Sequence, residues 1–239
     1  EQDDKVKAFI NTHDLKDSDY INNHYVIMAT KKGQVVKTSL EKYSRPRANG
    51  INAINIKDDD ELLEAKLTTG NSQIMLAVKS GKAIRFEEDK TRPLGRGASG
   101  VRGIKLKNQL DEVIGMVSVS DVNSDILVVS ENGFGKRSSL DDYRITNRGG
   151  KGVKTISITE KTGNLVALKN VSDDDDLMII KKSGVAIRMS VSDLRVMGRA
   201  TQGVKLVKIK EEGAIAAVAK VMKDQDEDDK INQEETKEE

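Results

Sequence analysis

A segment of about 50 residues occurs four times in this chain of 239 residues, and this repetition restricts the possible folds more than any other feature. Each copy contains an apolar run, a short polar stretch that ends in glycine, and a second run with alternating apolar residues. The glycines lie 48, 52 and 51 residues apart, at Gly33, Gly81, Gly133 and Gly184. Because glycine readily adopts the positive φ of a tight hairpin, each copy is predicted to begin with a β-hairpin.

The second half of each copy repeats as well. A loop that contains arginine and ends in glycine precedes one apolar run, and a further apolar run closes the copy. The runs after the loops begin at Ile51, Val101, Val153 and Val204, and the closing runs begin at Leu63, Val113, Val166 and Ile215. Four-stranded units of this period form propeller blades, whereas two β-sandwiches would not require a fixed glycine spacing. The sequence therefore predicts an all-β, propeller-like fold with four complete repeats at about 24–72, 73–124, 125–175 and 176–223.

The two ends of the chain differ from the repeats. Residues 5–13 match the closing run of a repeat and are predicted to be the last strand of an earlier blade, so the chain is expected to be a piece of a longer protein. Residues 224–239 carry nine acidic and two basic side chains and are predicted to be a disordered tail with a net charge of −7. Residues 1–223, the predicted folded domain, then have a net charge of +8, which favours a polyanionic partner. Two roles for the tail stay open, competition with that partner and simple solubilisation.

Several classes of chemistry are excluded or disfavoured. The chain has no cysteine, which excludes disulfides, thiolate metal sites and a cysteine nucleophile and fits a reducing cytoplasm. No apolar run approaches the roughly 20 residues of a membrane helix. The two histidines lack zinc-site spacing, and the acidic runs at residues 58–61 and 173–176 are interpreted as solvated turns. Tyr43 and Tyr143 occupy equivalent positions, where Leu194 stands in the fourth repeat, so they are interpreted as packing residues. No catalytic residue, metal site or cofactor is predicted.

Cations recur at two fixed positions of the repeat. One set lies four residues after each hairpin glycine, with one further lysine beside it: Lys37, Arg85, Lys136, Arg137 and Arg188. The other set lies in the glycine loops: Arg47, Arg96, Arg148 and Arg199. A row of cations on successive blades could neutralise successive phosphates of double-stranded DNA and bend it. The alternative is structural, in which these residues pair with carboxylates of neighbouring blades.

One glycine loop carries a more specific pattern. The segment Arg148-Gly-Gly-Lys-Gly152 matches the last five positions of a seven-residue box, Gln-Arg-Arg-Gly-Gly-Lys-Gly, with Thr146 and Asn147 in the first two. Together with the segments that begin at Arg92, Asn132 and Val196, it makes residues 5–223 resemble the C-terminal domain family of DNA gyrase A.

This resemblance implies a β-pinwheel of six blades whose basic perimeter wraps DNA. Because only four complete repeats are present, the resemblance implies two earlier blades, and in the family the full box lies in the first blade. The box residues expected to contact DNA are Arg148, Gly149, Gly150, Lys151 and Gly152, and glycines let backbone N–H groups approach a phosphate closely.

The implied function is that of a non-catalytic, DNA-wrapping module of a type IIA topoisomerase, which supports ATP-dependent negative supercoiling. ATP and magnesium would belong to other parts of the enzyme. The expected partners are double-stranded DNA of any sequence, the gyrase B protein and a second copy of gyrase A, in the cytoplasm of a bacterium. Two alternatives stay open: the C-terminal domain of the corresponding topoisomerase IV protein, and a propeller that binds other proteins.

Overall fold

A computed structural model describes residues 5–209 and 213–222 of the chain. Most of the regular structure in these residues is β-strand. The strands are β1 Tyr25–Thr30, β2 Gln34–Ser39, β3 Leu62–Thr68, β4 Gln73–Val78, β5 Lys82–Glu87, β6 Val101–Arg102, β7 Val113–Val119, β8 Asp125–Ser130, β9 Phe134–Ser139, β10 Val153–Lys154, β11 Leu165–Val171, β12 Asp175–Lys181, β13 Ala186–Ser190, β14 Val204–Lys205 and β15 Ile215–Met222. The helix α1, Ser18–Asn23, precedes them, and 3₁₀ turns follow three hairpins at Leu40–Tyr43, Glu88–Lys90 and Leu140–Asp142. The predicted all-β fold class is confirmed.

The four predicted hairpins are present, and each turns at its glycine. The hairpin glycines have φ values of 82°, 82°, 78° and 84°, a region that side chains with a Cβ rarely adopt. The hairpins are β1–β2, β4–β5, β8–β9 and β12–β13, all antiparallel.

The first three hairpins form the middle of four-stranded sheets, and the fourth hairpin belongs to a sheet of three strands in the described residues. The strand orders are β3-β1-β2-β6, β7-β4-β5-β10, β11-β8-β9-β14 and β15-β12-β13. The strands β3, β7, β11 and β15 contact one another in turn, so they form the inner side of the assembly of blades. The short strands β6, β10 and β14 consequently lie at the outer edges.

The origin of these short outer strands differs from the prediction. Each was expected to complete its own repeat, but each pairs with the hairpin of the preceding repeat. Val153 of the third repeat lies opposite Ala83 of the second, and Val101 and Val204 pair in the same way with Val35 and Gly135. A blade therefore combines residues from two repeats, because the glycine loop carries the chain across the boundary between them.

The amino-terminal end of the series departs from the predicted repeat. Residues 51–56 were predicted to be a strand and residues 5–13 the last strand of an earlier blade, but neither is a strand in the described part of the chain. Both predictions fail for one reason: the described residues provide no hairpin beside these segments with which they could pair. Residues 5–13 instead pack Ala8 and Ile10 against the first blade. The helix α1 follows this segment, and its first turn is capped by the Asp17 carboxylate.

The core is aliphatic and lies between the blades. One cluster joins the second and third sheets, with Met75 and Ala77 packed among Ile126, Val128 and Leu168. Equivalent clusters join the first sheet to the second and the third to the fourth. Each blade is therefore stabilised by its neighbours. No described helix is long and apolar enough to cross a membrane. The predicted acidic tail, residues 224–239, lies outside the described residues.

Candidate nucleic-acid interface

The first two hairpin cations lie inside the protein. Lys37 is 4% exposed and its Nζ lies 2.8 Å from a carboxylate oxygen of Glu88, which is fully buried in the next repeat. Arg85 is 6% exposed and donates from Nη1 to the carbonyl oxygens of Leu140 (2.8 Å) and Tyr143 (3.0 Å), again in the next repeat. The expectation that these two cations lie on an exposed rim is wrong, because their side chains connect neighbouring blades.

The other two hairpin cations are paired with carboxylates. Arg137 is buried and forms ion pairs with Asp173 and Asp125. Arg188 is exposed, and its Nε lies 2.7 Å from a carboxylate oxygen of Asp176. The interpretation of residues 173–176 as a solvated turn is also wrong in part, because Asp175 and Asp176 are buried at the start of β12. These pairs follow the structural alternative that the sequence left open.

Lys136 is the most deeply buried of the predicted DNA contacts, with 1% of its surface exposed. Its Nζ donates to the carbonyl oxygen of Gly198, in the glycine loop of the next repeat. The pKa of Lys136 is lowered to about 8, mainly by burial; Asp142 acts to raise this pKa and Arg199 to lower it. This lysine therefore faces the neighbouring blade, and its expected place on the rim is wrong.

Two of the glycine-loop arginines dock onto the preceding repeat in the same way. Arg148 donates from Nε to the carbonyl oxygen of Lys90 at 2.9 Å and from Nη1 to that of Arg102 at 3.1 Å. Arg199 makes the equivalent bonds one blade later, to the carbonyl oxygens of Asp142 and Lys154, at 2.9 and 2.7 Å. These guanidinium groups hold the loops in place, and each is only partly exposed.

The other two loop arginines are differently placed. Arg47 is exposed and Arg96 is half-buried, and neither side chain makes a hydrogen bond or ion pair with the residues that the structure describes. Both line an open cleft of about 600 Å³ together with Asn49, Gly50, Ile51, Asn52 and Gly97. Two cations beside exposed backbone and amide groups make this cleft suited to a phosphate group.

The loop at residues 148–152, which matches the box, is held partly by contacts with the rest of the fold. The backbone N–H of Gly149 donates to the carbonyl oxygen of Gly103 at 2.6 Å, and Gly152 lies against the backbone of Ala83. Gly150 and Lys151 are exposed. Within this loop Lys151 is thus the cation placed to meet a ligand in solution.

An exposed row of arginines was missed by the sequence analysis. These residues follow the hairpin glycine by 11 residues, or by 12 in the first repeat, and all four are exposed: Arg45, Arg92, Arg144 and Arg195. The segments of the last three run along the outer edge of the preceding hairpin: the N–H of Leu94 donates to the carbonyl oxygen of Lys37, Ile145 forms a parallel bridge with Arg85, and Val196 forms one with Arg137. The periodicity of the row was readable from the sequence, but its exposure was not.

A second exposed row lies on the short outer strands. It consists of the second residue of each strand: Arg102 of β6, Lys154 of β10 and Lys205 of β14. Because these strands are the outermost of their sheets, both rows lie on the outer edge of the blades. The arrangement presents two cations per blade boundary to any long polyanion that follows this edge.

Tyr43 and Tyr143 are packing residues, as the sequence predicted. The pKa of both phenols is raised, mainly because burial disfavours the charged form. The Tyr143 hydroxyl is hydrogen-bonded to that of Thr155, and the Tyr43 hydroxyl donates to the carbonyl oxygen of Ala53 at 3.1 Å. A phenol held in this way is a poor nucleophile.

Comparison with known proteins places this geometry in context. Residues 24–69, 73–120, 124–172 and 175–222 each match the family described as the DNA gyrase C-terminal domain, beta-propeller. The DNA gyrase A protein of Staphylococcus aureus is 43% identical over 235 residues, 98% of this chain, and the chain spans about a quarter (26%) of that relative. A crystal structure of the C-terminal domain of DNA topoisomerase IV superposes with a TM-score of 0.79 at 25% identity, covering 84% of this chain and 62% of the other. A structure of the DNA gyrase A C-terminal domain superposes with a TM-score of 0.75 at 24% identity, covering 84% and 67%.

Proposed function

This chain belongs to the DNA gyrase C-terminal domain family, and on that premise we propose that it binds double-stranded DNA along the outer edge of its blades. The observation that carries the proposal is the pair of exposed cation rows, one arginine row and one row on the short strands, repeated at successive blade boundaries. The exposed cations Arg47 and Lys151 and the half-buried Arg96, all in glycine loops, extend these rows. Of the residues predicted from the sequence, these three stay in the proposed contact set. Arg148 and Arg199, with Gly149, Gly150 and Gly152, are proposed to shape the loops.

The proposed mode of binding is wrapping. DNA carries one charge per about 1.7 Å of helix axis, so a cation row that curves with the blades neutralises phosphates on one side of the duplex. Neutralisation on one side, together with contact along a curved edge, offsets the cost of bending. Backbone contacts of this kind do not read base sequence, so binding is expected on DNA of any sequence.

In the longer protein we propose the role of a non-catalytic wrapping module. The sequence relatives are DNA gyrase A proteins, which form part of a type II topoisomerase, and this chain corresponds to their C-terminal domain. We propose that the wrapped DNA is passed to the strand-passage site of a complex with the gyrase B protein and a second copy of gyrase A, in the bacterial cytoplasm. The fold is equally that of the topoisomerase IV module, but the 43% identity to gyrase A favours supercoiling as the activity that it supports.

The test of DNA binding is a titration of a fluorescent duplex of about 100 base pairs at several salt concentrations. Each phosphate contact is expected to contribute about 0.9 to the slope of log K against log salt. Replacing Arg144 and Arg195 by Glu removes two contacts and adds repulsion, so the slope should fall by about 2.

The matched control replaces Lys16 and Lys57, two exposed lysines that belong to neither cation row, with the same change of charge. This control should lose far less affinity than the rim variant. Equal losses for the two variants, or binding by the original chain that ignores salt, would contradict the proposed interface.

A further inference from the structure

The exposed arginine row has an apolar companion in every repeat. The residue after each arginine is Pro46, Pro93, Ile145 or Val196, and all four are exposed. Ile145 is 47% exposed and Val196 is 51% exposed, so neither is a core residue. On the outermost strands a third aliphatic side chain, Val204, is 37% exposed beside the cation Lys205.

The fold does not require apolar residues at these positions. The backbone bond to the neighbouring hairpin comes from the following residue: the N–H groups of Leu94, Thr146 and Met197 donate to the carbonyl oxygens of the preceding repeat. An extended residue of any polarity would satisfy this geometry, and proline fits because its missing N–H is not needed. The repeated exposure of aliphatic groups beside arginine therefore points to a ligand.

The chemistry of the pair indicates which surface of DNA it fits. A phosphate oxygen attracts the guanidinium but gains nothing from an aliphatic side chain. The minor groove provides both counterparts, since its floor is strongly negative where it is narrow and its walls are the apolar faces of the sugars. Proteins that bend DNA commonly place arginine and an aliphatic or proline side chain together in that groove.

We propose that the Arg–apolar pairs of successive blades contact the minor groove of the wrapped duplex, each where the groove faces the protein. The arginine enters the groove, and the apolar side chain packs against the sugars and widens or kinks the duplex locally. This inference rests on the proposed DNA binding and adds to it the groove and the source of bending. Phosphate contacts by the second row, Arg102, Lys154 and Lys205, would flank each such point.

The first test uses the unmodified chain and a netropsin-type minor-groove ligand. Saturating a 100-base-pair duplex rich in A·T with this ligand should weaken binding by about tenfold or more. A duplex whose major groove is blocked by glucosylated hydroxymethylcytosine should bind with unchanged affinity. The reverse pattern, sensitivity to the major-groove block alone, would overturn the inference.

The second test replaces Ile145 and Val196 by threonine, which keeps the branched shape and the preference for extended backbone while removing the apolar contact. Affinity should fall by about tenfold, from the loss of two half-buried aliphatic contacts, and end-to-end fluorescence transfer should report less bending. The control is Val122→Thr, because Val122 is 61% exposed in the loop between β7 and β8.

The outcomes separate the two proposals. A wild-type chain that fails to bind DNA at low salt overturns both DNA binding and the groove assignment. Salt-dependent binding that the minor-groove ligand does not weaken, with full affinity and bending in the threonine variant, overturns the groove assignment alone. Thermal unfolding of each variant at the wild-type temperature verifies that a loss of affinity arises at the surface.

Discussion

The glycine loops of the first and third repeats have similar sequences but different environments. In the third repeat Arg148 donates to two carbonyl oxygens of the preceding repeat, Gly152 packs on Ala83, and the next two residues pair with β5. In the first repeat the Arg47 side chain has no partner among the described residues, and the Cβ of a residue replacing Gly50 would have no atom within 4 Å.

The difference shows that the motif does not determine its own structure. The loops of the last three repeats dock on the outer edge of another hairpin, and in the third and fourth repeats the loop arginine takes part in that docking, whereas Arg96 of the second repeat makes no such bond among the described residues. Where the described residues offer no such edge, the same arginine stays available to solvent and to a phosphate. A recurring cation in a repeat can therefore serve packing in one copy and binding in another, and its burial decides which.

Replacing the loop glycines is expected to give the largest difference in stability between these two loops. Gly152 has φ of +69° and a Cβ at this position would lie 2.5 Å from the Ala83 carbonyl oxygen. Gly152→Ala is therefore expected to lower the free energy of unfolding by about 3 kcal/mol, from backbone strain plus a clash with main chain. Gly50→Ala, with φ of +75° but open space, should cost about 1 kcal/mol, the strain alone. Chemical denaturation measures both, and equal losses would mean that the two loops are equally docked.

The repeat, the hairpins and the blade architecture could be predicted from the sequence because they depend on local rules. Turn glycines at fixed spacing and aliphatic runs of strand length need no knowledge of the neighbouring blade. The exchange of the short strands could not be predicted, because a two-residue strand such as Val153–Lys154 pairs as well with either neighbouring hairpin on pattern alone.

The candidate site was predicted only in part, for a related reason. Lys37 and Arg85 recur as regularly as Arg92 and Arg144, so periodicity could not separate buried cations from exposed ones. The signal that distinguishes them is the neighbourhood. Arg85 is flanked by Ile84 and Phe86 inside a strand with partners on both sides, whereas Arg92 and Arg144 lie outside strands.

The pH dependence of stability is a second way to probe the docked loops. Lys136 donates a hydrogen bond to the carbonyl oxygen of Gly198, at the start of the fourth glycine loop. Its pKa is about 8 in the folded protein and about 10.5 when unfolded, so the folded state disfavours the charged form. The penalty is complete below pH 8 and vanishes above the unfolded pKa. Stability contributed by this group should therefore rise between pH 8 and about 10.5, by about 2 kcal/mol.

The measurement is the free energy of unfolding against pH for the original chain and for Lys136→Met. Taking the difference between the two curves removes the opposite trend of Tyr43 and Tyr143, whose raised pKa values make their ionisation above pH 10 destabilising. A difference that stays flat across this range would indicate that the ammonium of Lys136 reaches water. The first repeat has Val36 at the equivalent position, so no such pH dependence is expected of its loop.

The smallest effect tests the comparison most directly, because one substitution is made in each loop and two properties are measured. Arg148→Gln loses two hydrogen bonds to backbone carbonyls and should lower the free energy of unfolding by about 1 kcal/mol, while the salt slope of DNA binding stays unchanged. Arg47→Gln should leave stability within about 0.5 kcal/mol and lower the slope by about 0.9, as the loss of one phosphate contact requires. If both arginines affected both properties alike, docking and DNA binding would not be alternative uses of this residue. The distinction between the two loops would then have no functional meaning.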